Sequence, residues 1–136
     1  MIFVDTGAWF ALAVREDPDH RRAAAYLEGL HGPLVTSDLV AVETMNLLRF
    51  RKRGAPGLEI ADRVGADLWE GRAAKLVRAG REDILRAREI FREFADKQWS
   101  FTDCTSFAIM QRLSLGSAFA FDRNFDQFPG IHRVPR

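Results

Sequence analysis

The sequence predicts an α/β domain built on a parallel sheet, and two observations lead to that prediction. Short apolar runs alternate with longer segments of helical periodicity, in the order strand, helices, strand, helices, strand, helices, strand. Alternation of this kind is typical of a parallel sheet with helices on both faces. The chain has 136 residues, 47% of them hydrophobic, which suits the core of one domain spanning residues 1–136.

The individual elements follow from periodicity and from capping residues. Pro18 suits the first turn of a helix, Ser37 or Asp38 can cap another, and Gly54 to Gly57 indicate a turn between two helices. Apolar residues at helical spacing predict helices near residues 8–15, 19–31, 38–53, 58–70, 82–97 and 102–114. Short apolar runs predict strands at 2–5, 34–36, 73–78 and 118–121, with an edge strand at 131–134.

Two acids follow predicted strands. Asp5 ends the first strand, and Asp122 ends the strand at 118–121. Right-handed crossovers bring the carboxyl ends of parallel strands to one edge of the sheet, where ligands of such sheets bind. Either acid alone could simply begin a turn. Because acids occur at two matching strand ends, we favour a functional role.

Two further acids lie on predicted helices. Glu43 shares an apolar helix face with Val40, and a buried carboxylate is costly unless it is paired, hydrogen-bonded or metal-bound. A salt bridge to a buried arginine, or a place at the rim of the apolar face, is the alternative. Asp103 shares a predicted helix face with Phe107 and Met110, so we expect it to point inward at the start of its helix. The segment from Ser100 to Asp103 also resembles a capping box.

The four acids come from distant segments of the chain. Asp5, Glu43, Asp103 and Asp122 therefore predict a site for a hard divalent cation such as Mg²⁺ or Mn²⁺, whose usual work is at phosphates. Asp126 follows Asp122 by four residues and would share one side of a helical turn with it. We predict a secondary role for Asp126.

The charge balance does not by itself indicate nucleic-acid binding. The net charge is +1, but 17 of the 20 basic residues are arginine, which suits both phosphate contacts and structural ion pairs. Arg123, beside Asp122, is the preferred phosphate contact. The densest basic cluster lies at a helix C-terminus, where cations are favoured for other reasons, and comprises Arg49, Arg51, Lys52 and Arg53.

The remaining sequence features indicate a cytosolic protein. Cys104 is the only cysteine, so no disulfide framework exists. The N-terminus begins with a strand-like run and lacks the features of a signal peptide. No apolar run approaches the ~20 residues that span a bilayer, so we expect no membrane association.

Four short motifs occur in order along the chain. They are Val4-Asp5-Thr6-Gly7-Ala8, a helical Glu43, Phe101-Thr102-Asp103-Cys104, and Ala120-Phe121-Asp122-Arg123-Asn124-Phe125. The ordered set resembles a PIN-domain ribonuclease over essentially the whole chain. In its short length, without extra domains, the chain resembles the VapC-type toxins of type II toxin–antitoxin pairs.

This resemblance implies a Rossmann-like α/β/α sandwich of four to five mainly parallel strands, RNA cleavage, homodimers and inhibition by a small antitoxin. It also implies one or two Mg²⁺ or Mn²⁺ ions held by Asp5, Asp103 and Asp122. Glu43 would complete the ligand set or orient the attacking water, so that all four acids are catalytic. Supporting roles would fall to Thr6 and Thr102, which could bind water or cap turns, to Asn46, which could orient Glu43, and to Asp126.

Three alternatives remain open from the sequence. The first is another PIN-type nuclease, acting in RNA processing or on DNA. The second is a phospho-acceptor or phosphatase domain using Asp5, but such domains need paired acids after the first strand and a late lysine, and no lysine follows Lys97. The third is a non-catalytic binding module, which the intact set of four acids argues against.

Overall fold

A five-stranded sheet forms the centre of the computed structural model, which describes all 136 residues. The strands are β1 (Ile2–Val4), β2 (Leu34–Ser37), β3 (Lys75–Val77), β4 (Ser117–Phe119) and β5 (His132–Val134). Six helices flank it: α1 (Thr6–Ala13), α2 (His20–Glu28), α3 (Asp38–Arg51), α4 (Ala55–Trp69), α5 (Arg81–Glu93) and α6 (Phe101–Arg112). A 3₁₀ turn covers Arg123–Asp126.

The strands are all parallel and lie in the order β3-β2-β1-β4-β5. Phe3 of β1 pairs with Val35 of β2 on one side and with Ala118 of β4 on the other. After β1, the chain adds β2 and then β3 on one side, and it later adds β4 and then β5 on the other side of β1. The strand order therefore reverses at β1, and ligands of open α/β sheets bind where the order reverses. The predicted α/β class with a parallel sheet is confirmed.

The core lies between the sheet and the helices. Phe3 and Phe119 of the sheet and Phe107 of α6 are fully buried. Phe125, in the 3₁₀ turn, packs edge-on against Phe107 with ring centroids 5.1 Å apart, and Phe128 stacks on the same ring at 4.8 Å. Aromatic packing thus fixes the segment after β4 against α6, and with it the position of Asp122.

Several predicted boundaries were wrong by a few residues, among them the end of the helix predicted at 19–31, which stops at Glu28. α1 begins at Thr6 because the Asp5 side chain accepts a hydrogen bond from the backbone N–H of Gly7 and caps the helix. α5 ends at Glu93 instead of continuing to residue 97, and the ring of Phe94 then packs on Trp99 at 4.9 Å. α4 begins at Ala55, so the expected turn is shorter than predicted.

The predicted position of Asp122 at a strand end was also slightly wrong. β4 ends at Phe119, and two further residues lie between that strand and Asp122. Those residues are still held beside β5, since Ala120 N–H donates to the Val134 carbonyl at 3.2 Å and Arg133 donates to the Phe121 carbonyl at 2.9 Å.

None of the helices combines the length and apolarity that crossing a bilayer requires.

Candidate acidic active site

Asp5 lies buried at the junction of β1 and α1. Its backbone N–H donates to the Phe119 carbonyl of β4 at 3.0 Å, which fixes it between the two strands. Burial raises the pKa of Asp5 to about 8, and the nearby charges of Asp103 and Glu43 act in the same direction. The acid predicted at the first strand end therefore lies among other acids.

Asp103 lies in the first turn of α6 and is also buried. Its Oδ2 accepts from the Ser100 backbone N–H at 3.1 Å, and Ser100 Oγ accepts from the Asp103 N–H at 3.0 Å. Burial raises the pKa of Asp103, and the charges of Asp122 and Glu43 add to this effect, while hydrogen bonds to its carboxylate oppose it. The capping box and the inward orientation, two competing interpretations of the sequence, are therefore both present.

Asp122 is brought to Asp103 by the side chain of Asn124. Asn124 Nδ2 donates to Asp103 Oδ2 at 3.2 Å and to Asp122 Oδ2 at 3.3 Å. Asp122 Oδ1 also accepts from the Asn124 backbone N–H at 2.9 Å. Sequence reasoning missed Asn124, although an amide placed between two acids in Asp122-Arg123-Asn124-Phe125-Asp126 was a signal for such a bridge.

Glu43 completes the group from α3. It is partly exposed and makes no hydrogen bond or ion pair within the chain, but its charge raises the pKa of both Asp5 and Asp103. Mutual electrostatic influence links Asp5 to Asp103 and Glu43, and links Asp103 to Asp122. The structure therefore brings together the four acids predicted from the sequence.

No positively charged side chain neutralises these four acids. The chain contains nine ion pairs, and none of them involves Asp5, Glu43, Asp103 or Asp122. By contrast, the buried Asp83 accepts two hydrogen bonds from Arg112, at 2.8 and 3.0 Å. Clustered carboxylates without a protein cation repel one another, and an external cation would relieve that repulsion.

The donor set fits a hard divalent cation, although it is not a closed cage. No three His, Cys, Asp or Glu side chains stand close enough to form a complete ligand group on their own. Mg²⁺ keeps several waters and binds through few carboxylates, so a closed cage is not required. Asp103 Oδ1 makes no hydrogen bond, and the buried hydroxyl of Thr6, next to Asp5, has no partner within the protein. Unused oxygen atoms at this point suit water or cation binding.

The other residues predicted to support the acids differ in the hydrogen bonds that they make. Thr102 precedes Asp103, and its own hydroxyl makes no hydrogen bond. Asn46 is exposed, makes no hydrogen bond to Glu43, and lines a groove between α3 and α4. Asp126 is bound by Arg133, whose backbone N–H and Nε donate to it at 2.9 and 2.6 Å. The structure therefore gives Asn46 and Asp126 no hydrogen bond to the acids.

The basic candidates also differ from one another. Arg123 is exposed next to Asp122 and makes no hydrogen bond or ion pair, so its guanidinium is available. Arg49 donates to the Gly54 carbonyl at 3.2 Å, and Arg51 lies over the ring of Phe10 at 5.4 Å. Arg53 is exposed beyond the end of α3. These contacts give Arg49 and Arg51 structural roles.

The sequence matches the PIN domain over residues 2–131. This chain belongs to the PIN-domain family. The resemblance drawn from the four motifs is thus confirmed. This PIN domain is 31% identical over 135 residues to the 23S rRNA-specific endonuclease VapC20 of Mycobacterium tuberculosis, with 92% of each chain covered.

The fold of this PIN domain agrees with that relationship. The crystal structure of M. tuberculosis VapC20, described as a sarcin–ricin loop cleaving toxin, superposes with a TM-score of 0.86 and 28% identity, covering 93% of this chain and 94% of that one. A toxin–antitoxin complex from Klebsiella pneumoniae superposes with a TM-score of 0.71 and 17% identity, covering 97% and 96% of the two chains. The second similarity concerns the fold alone.

Proposed function

We propose that this PIN domain is a metal-dependent endoribonuclease that acts as the toxin of a type II toxin–antitoxin pair. The observation that supports this most strongly is the group of four acids that lies at the edge of the sheet without a protein cation. The similarity to VapC20, named for its action on 23S rRNA, supports ribosomal RNA as the class of substrate.

Each acid has a role that its surroundings suit. Asp5, Asp103 and Asp122 would hold one or two Mg²⁺ or Mn²⁺ ions. A divalent ion there would stabilise the charge that develops on the phosphate. Glu43, which no hydrogen bond restrains, orients the attacking water. Asn124 keeps Asp103 and Asp122 together before the cation binds.

Two further side chains would assist the acids. The unpartnered hydroxyl of Thr6 holds water beside Asp5. The free guanidinium of Arg123 contacts an RNA phosphate next to Asp122. Arg53 is exposed and could contact the RNA backbone farther from the acids.

Protein partners are supported by apolar side chains on the surface. Phe50 and Leu58, near the α3–α4 connection, are 75% and 54% exposed, and Trp69 at the end of α4 is 45% exposed. Exposed large apolar side chains on adjacent helices are typical of protein-binding surfaces. We therefore propose a homodimer and a small antitoxin, acting in the cytoplasm, where ribosomal RNA is found.

Expression in a bacterium tests the toxin assignment. Wild-type protein produced alone should arrest growth, and co-expression of the small protein encoded beside it should restore growth. Asp5→Asn, which keeps the size of the side chain, should remove toxicity while still binding the same small protein in a pull-down.

Two results would contradict the toxin assignment. One is normal growth at high levels of wild-type protein together with no bound product of an adjacent gene. The other is equal toxicity of wild type and Asp5→Asn. The first result would leave a PIN-type nuclease of RNA processing or DNA as the better assignment, and the second would place the harmful activity outside the acidic site.

A further inference from the structure

A crevice of about 480 Å³ opens between the end of α5 and the start of α6. We call it the α5–α6 crevice. Apolar and aromatic side chains make up most of its lining, together with a few polar groups. The lining includes Phe91, Phe94, Lys97, Gln98, Trp99 and Ser100. A space of this size with this composition is typical of a small-ligand site.

The crevice lies at the same end of the molecule as the acids. α5 and α6 run antiparallel, because Asp83 in the first turn of α5 binds Arg112 in the last turn of α6. The opposite ends of the two helices meet where Phe91 contacts Phe101. Ser100, which lines the crevice, also donates its backbone N–H to Asp103. One residue of the crevice lining is therefore hydrogen-bonded to one of the four acids.

We propose that the α5–α6 crevice binds one nucleobase of the RNA strand beside the phosphate that is cleaved. This inference rests on the proposed function, since it assumes that RNA reaches the acids. It assigns a specificity-determining role to side chains that the acid chemistry does not use.

The crevice offers aromatic faces and edges on which a base can stack. Phe91 lines the crevice and is 51% exposed. Phe101 is not part of the lining, but it is 37% exposed and its ring meets Phe91 edge to face, with centroids 5.7 Å apart. Trp99 forms a fixed wall, because its Nε1 donates to Gln127 Oε1 at 3.1 Å and its ring packs on Phe107 at 5.0 Å. Rings that are already held in place lose little conformational entropy on stacking.

Polar groups at the crevice suit the rest of a nucleotide. Gln98 is exposed and its amide makes no hydrogen bond, so it can bind the edge of a base. Lys97 Nζ lies 3.6 Å from the exposed carboxylate of Asp96, a weak surface pair that a phosphate could replace. One nucleotide thus matches the size of the crevice, its apolar lining and the single lysine in that lining.

A docked protein is a poorer occupant of this crevice. Stable protein interfaces bury roughly 800 Å² on each partner, which needs a broad surface rather than one pocket. The crevice could at most take a single side chain of a partner. If a variant of the crevice loses binding to the antitoxin but keeps binding to RNA, the occupant is a protein and the inference is overturned.

The test combines removal of a base from the RNA with removal of a ring from the protein. The probe is a synthetic hairpin carrying the sarcin–ricin loop, with an abasic site introduced at each loop position in turn. Binding is measured in EDTA, so that it does not depend on cleavage, and cleavage of the same RNAs is measured with Mn²⁺. Wild type is compared with Phe91→Ala and Phe101→Ala. Leu85→Ala is the matched control, since Leu85 is an apolar residue of α5 that is 36% exposed and does not line the crevice.

We expect one abasic position to weaken wild-type binding by about 5- to 100-fold, the range for loss of one stacked base. Phe91→Ala should weaken binding of the intact hairpin by a similar factor and should lose nothing further on that abasic hairpin. Phe91→Tyr, which keeps the ring, should bind nearly as wild type does. Leu85→Ala should behave as wild type on all the RNAs.

The inference is overturned if every abasic hairpin binds wild type equally well, if no hairpin binds, or if both ring variants bind intact RNA normally. It is also overturned if Phe91→Ala weakens binding of the antitoxin but not of RNA. Failure of the proposed function is a separate result, namely absence of Mn²⁺-dependent cleavage by wild type. The binding measurements remain decisive for the crevice in that case.

Discussion

At the scale of single residues, Asn124 has the most specific role in the acidic site. Its amide is a neutral donor between two carboxylates, so it attracts both without cancelling their charge. A lysine at the same place would fill the site with a protein cation. An asparagine keeps Asp103 and Asp122 close while leaving the site negative and open to an external cation.

Substitution of Asn124 by aspartate tests this role. A third carboxylate beside Asp103 and Asp122 should lower the stability of the metal-free protein, by on the order of 1–2 kcal/mol. Bound Mn²⁺ would offset that repulsion, so the rise in Tm on adding Mn²⁺ should be larger for Asn124→Asp than for wild type. Thermal denaturation with EDTA and with Mn²⁺ measures both effects. Asn124→Ala, which removes the bridge without adding charge, is the control, and equal Mn²⁺ shifts in wild type and Asn124→Asp would disprove the role.

The sequence predicted the four acids but not their contacts. Asp5 and Glu43 were recognisable because a strand end and an apolar helix face are local features. The contact between Asp126 and Arg133 could not be recognised from the sequence, because Arg133 belongs to β5 and reaches Asp126 only after the sheet has formed. The lack of a hydrogen-bond partner for the Thr6 hydroxyl could not be predicted either, since burial of a polar atom depends on tertiary packing.

At the scale of secondary-structure elements, a glycine sets how closely the start of α4 approaches α3. A Cβ atom on Gly57 would lie only 1.5 Å from the Lys52 carbonyl oxygen and 3.0 Å from the Arg49 carbonyl oxygen. Both atoms belong to the backbone at the end of α3, which cannot move without disturbing that helix. The turn between the two helices is short because this residue has no side chain.

Gly57→Ala should therefore destabilise the protein. Overpacking against backbone costs about 1–3 kcal/mol or more, which exceeds the gain of about 1 kcal/mol from the higher helix propensity of alanine. Gly65→Ala is the matched control within α4, since its Cβ would meet the flexible end of the Met45 side chain, at 2.6 Å. Urea denaturation should show a clearly larger loss for Gly57→Ala. A loss that is no greater than that of Gly65→Ala would contradict the close approach.

The pairing of α5 with α6 carries a pH dependence through Asp83 and Arg112. Hydrogen bonds from Arg112 hold the pKa of Asp83 below its ordinary value, although burial acts in the opposite direction. A depressed pKa in the folded state means that the pair stabilises the protein above the unfolded-state pKa, roughly 3.9, and that this stabilisation is lost as the pH falls through the folded-state value.

Asp83→Asn should therefore cost about 1–2 kcal/mol at pH 7, a range reduced because Arg112 is partly exposed. The difference from wild type should shrink as the pH is lowered below about 4. Free energies of unfolding across pH 3 to 7 measure this change. Glu89→Gln, which removes an exposed ion pair of α5 with Arg86, should show little effect at any pH. A difference for Asp83→Asn that stays constant with pH would contradict the account.

The sequence predicted the kind and order of these elements better than their ends. Periodicity predicts all six helices, but α4 begins at Ala55, earlier than predicted, because the combination of Gly54, Pro56 and Gly57 is typical of a turn. Pro56 is in fact in the first turn of α4, where its missing N–H has no cost. The contact that requires Gly57 lies on another helix, so local sequence could not decide the boundary.

At the scale of the whole molecule, the strand order explains how four distant segments form one site. β1 lies between β2 and β4, so the segments that follow β1 and β4 leave the same edge of the sheet side by side. α3 and α6 then contribute Glu43 and Asp103 from their positions in the sequence between those strands. The parallel arrangement of the strands could be predicted from the alternation of strands and helices along the chain. Only the structure shows that none of the four acids forms an ion pair with a basic side chain.

The account depends most on the claim that these acids carry out divalent-cation-dependent RNA cleavage. The measurement that tests it most directly is cleavage of RNA by purified wild type, Asp5→Asn and Asp103→Asn, each with Mg²⁺, Mn²⁺ or EDTA, with circular dichroism to verify the fold of each variant. Wild type should cleave with a divalent cation and stop in EDTA, and both variants should fold normally yet lose at least about 100-fold in rate. Cleavage by both variants at the wild-type rate, in preparations free of contaminating nuclease, would contradict the assignment.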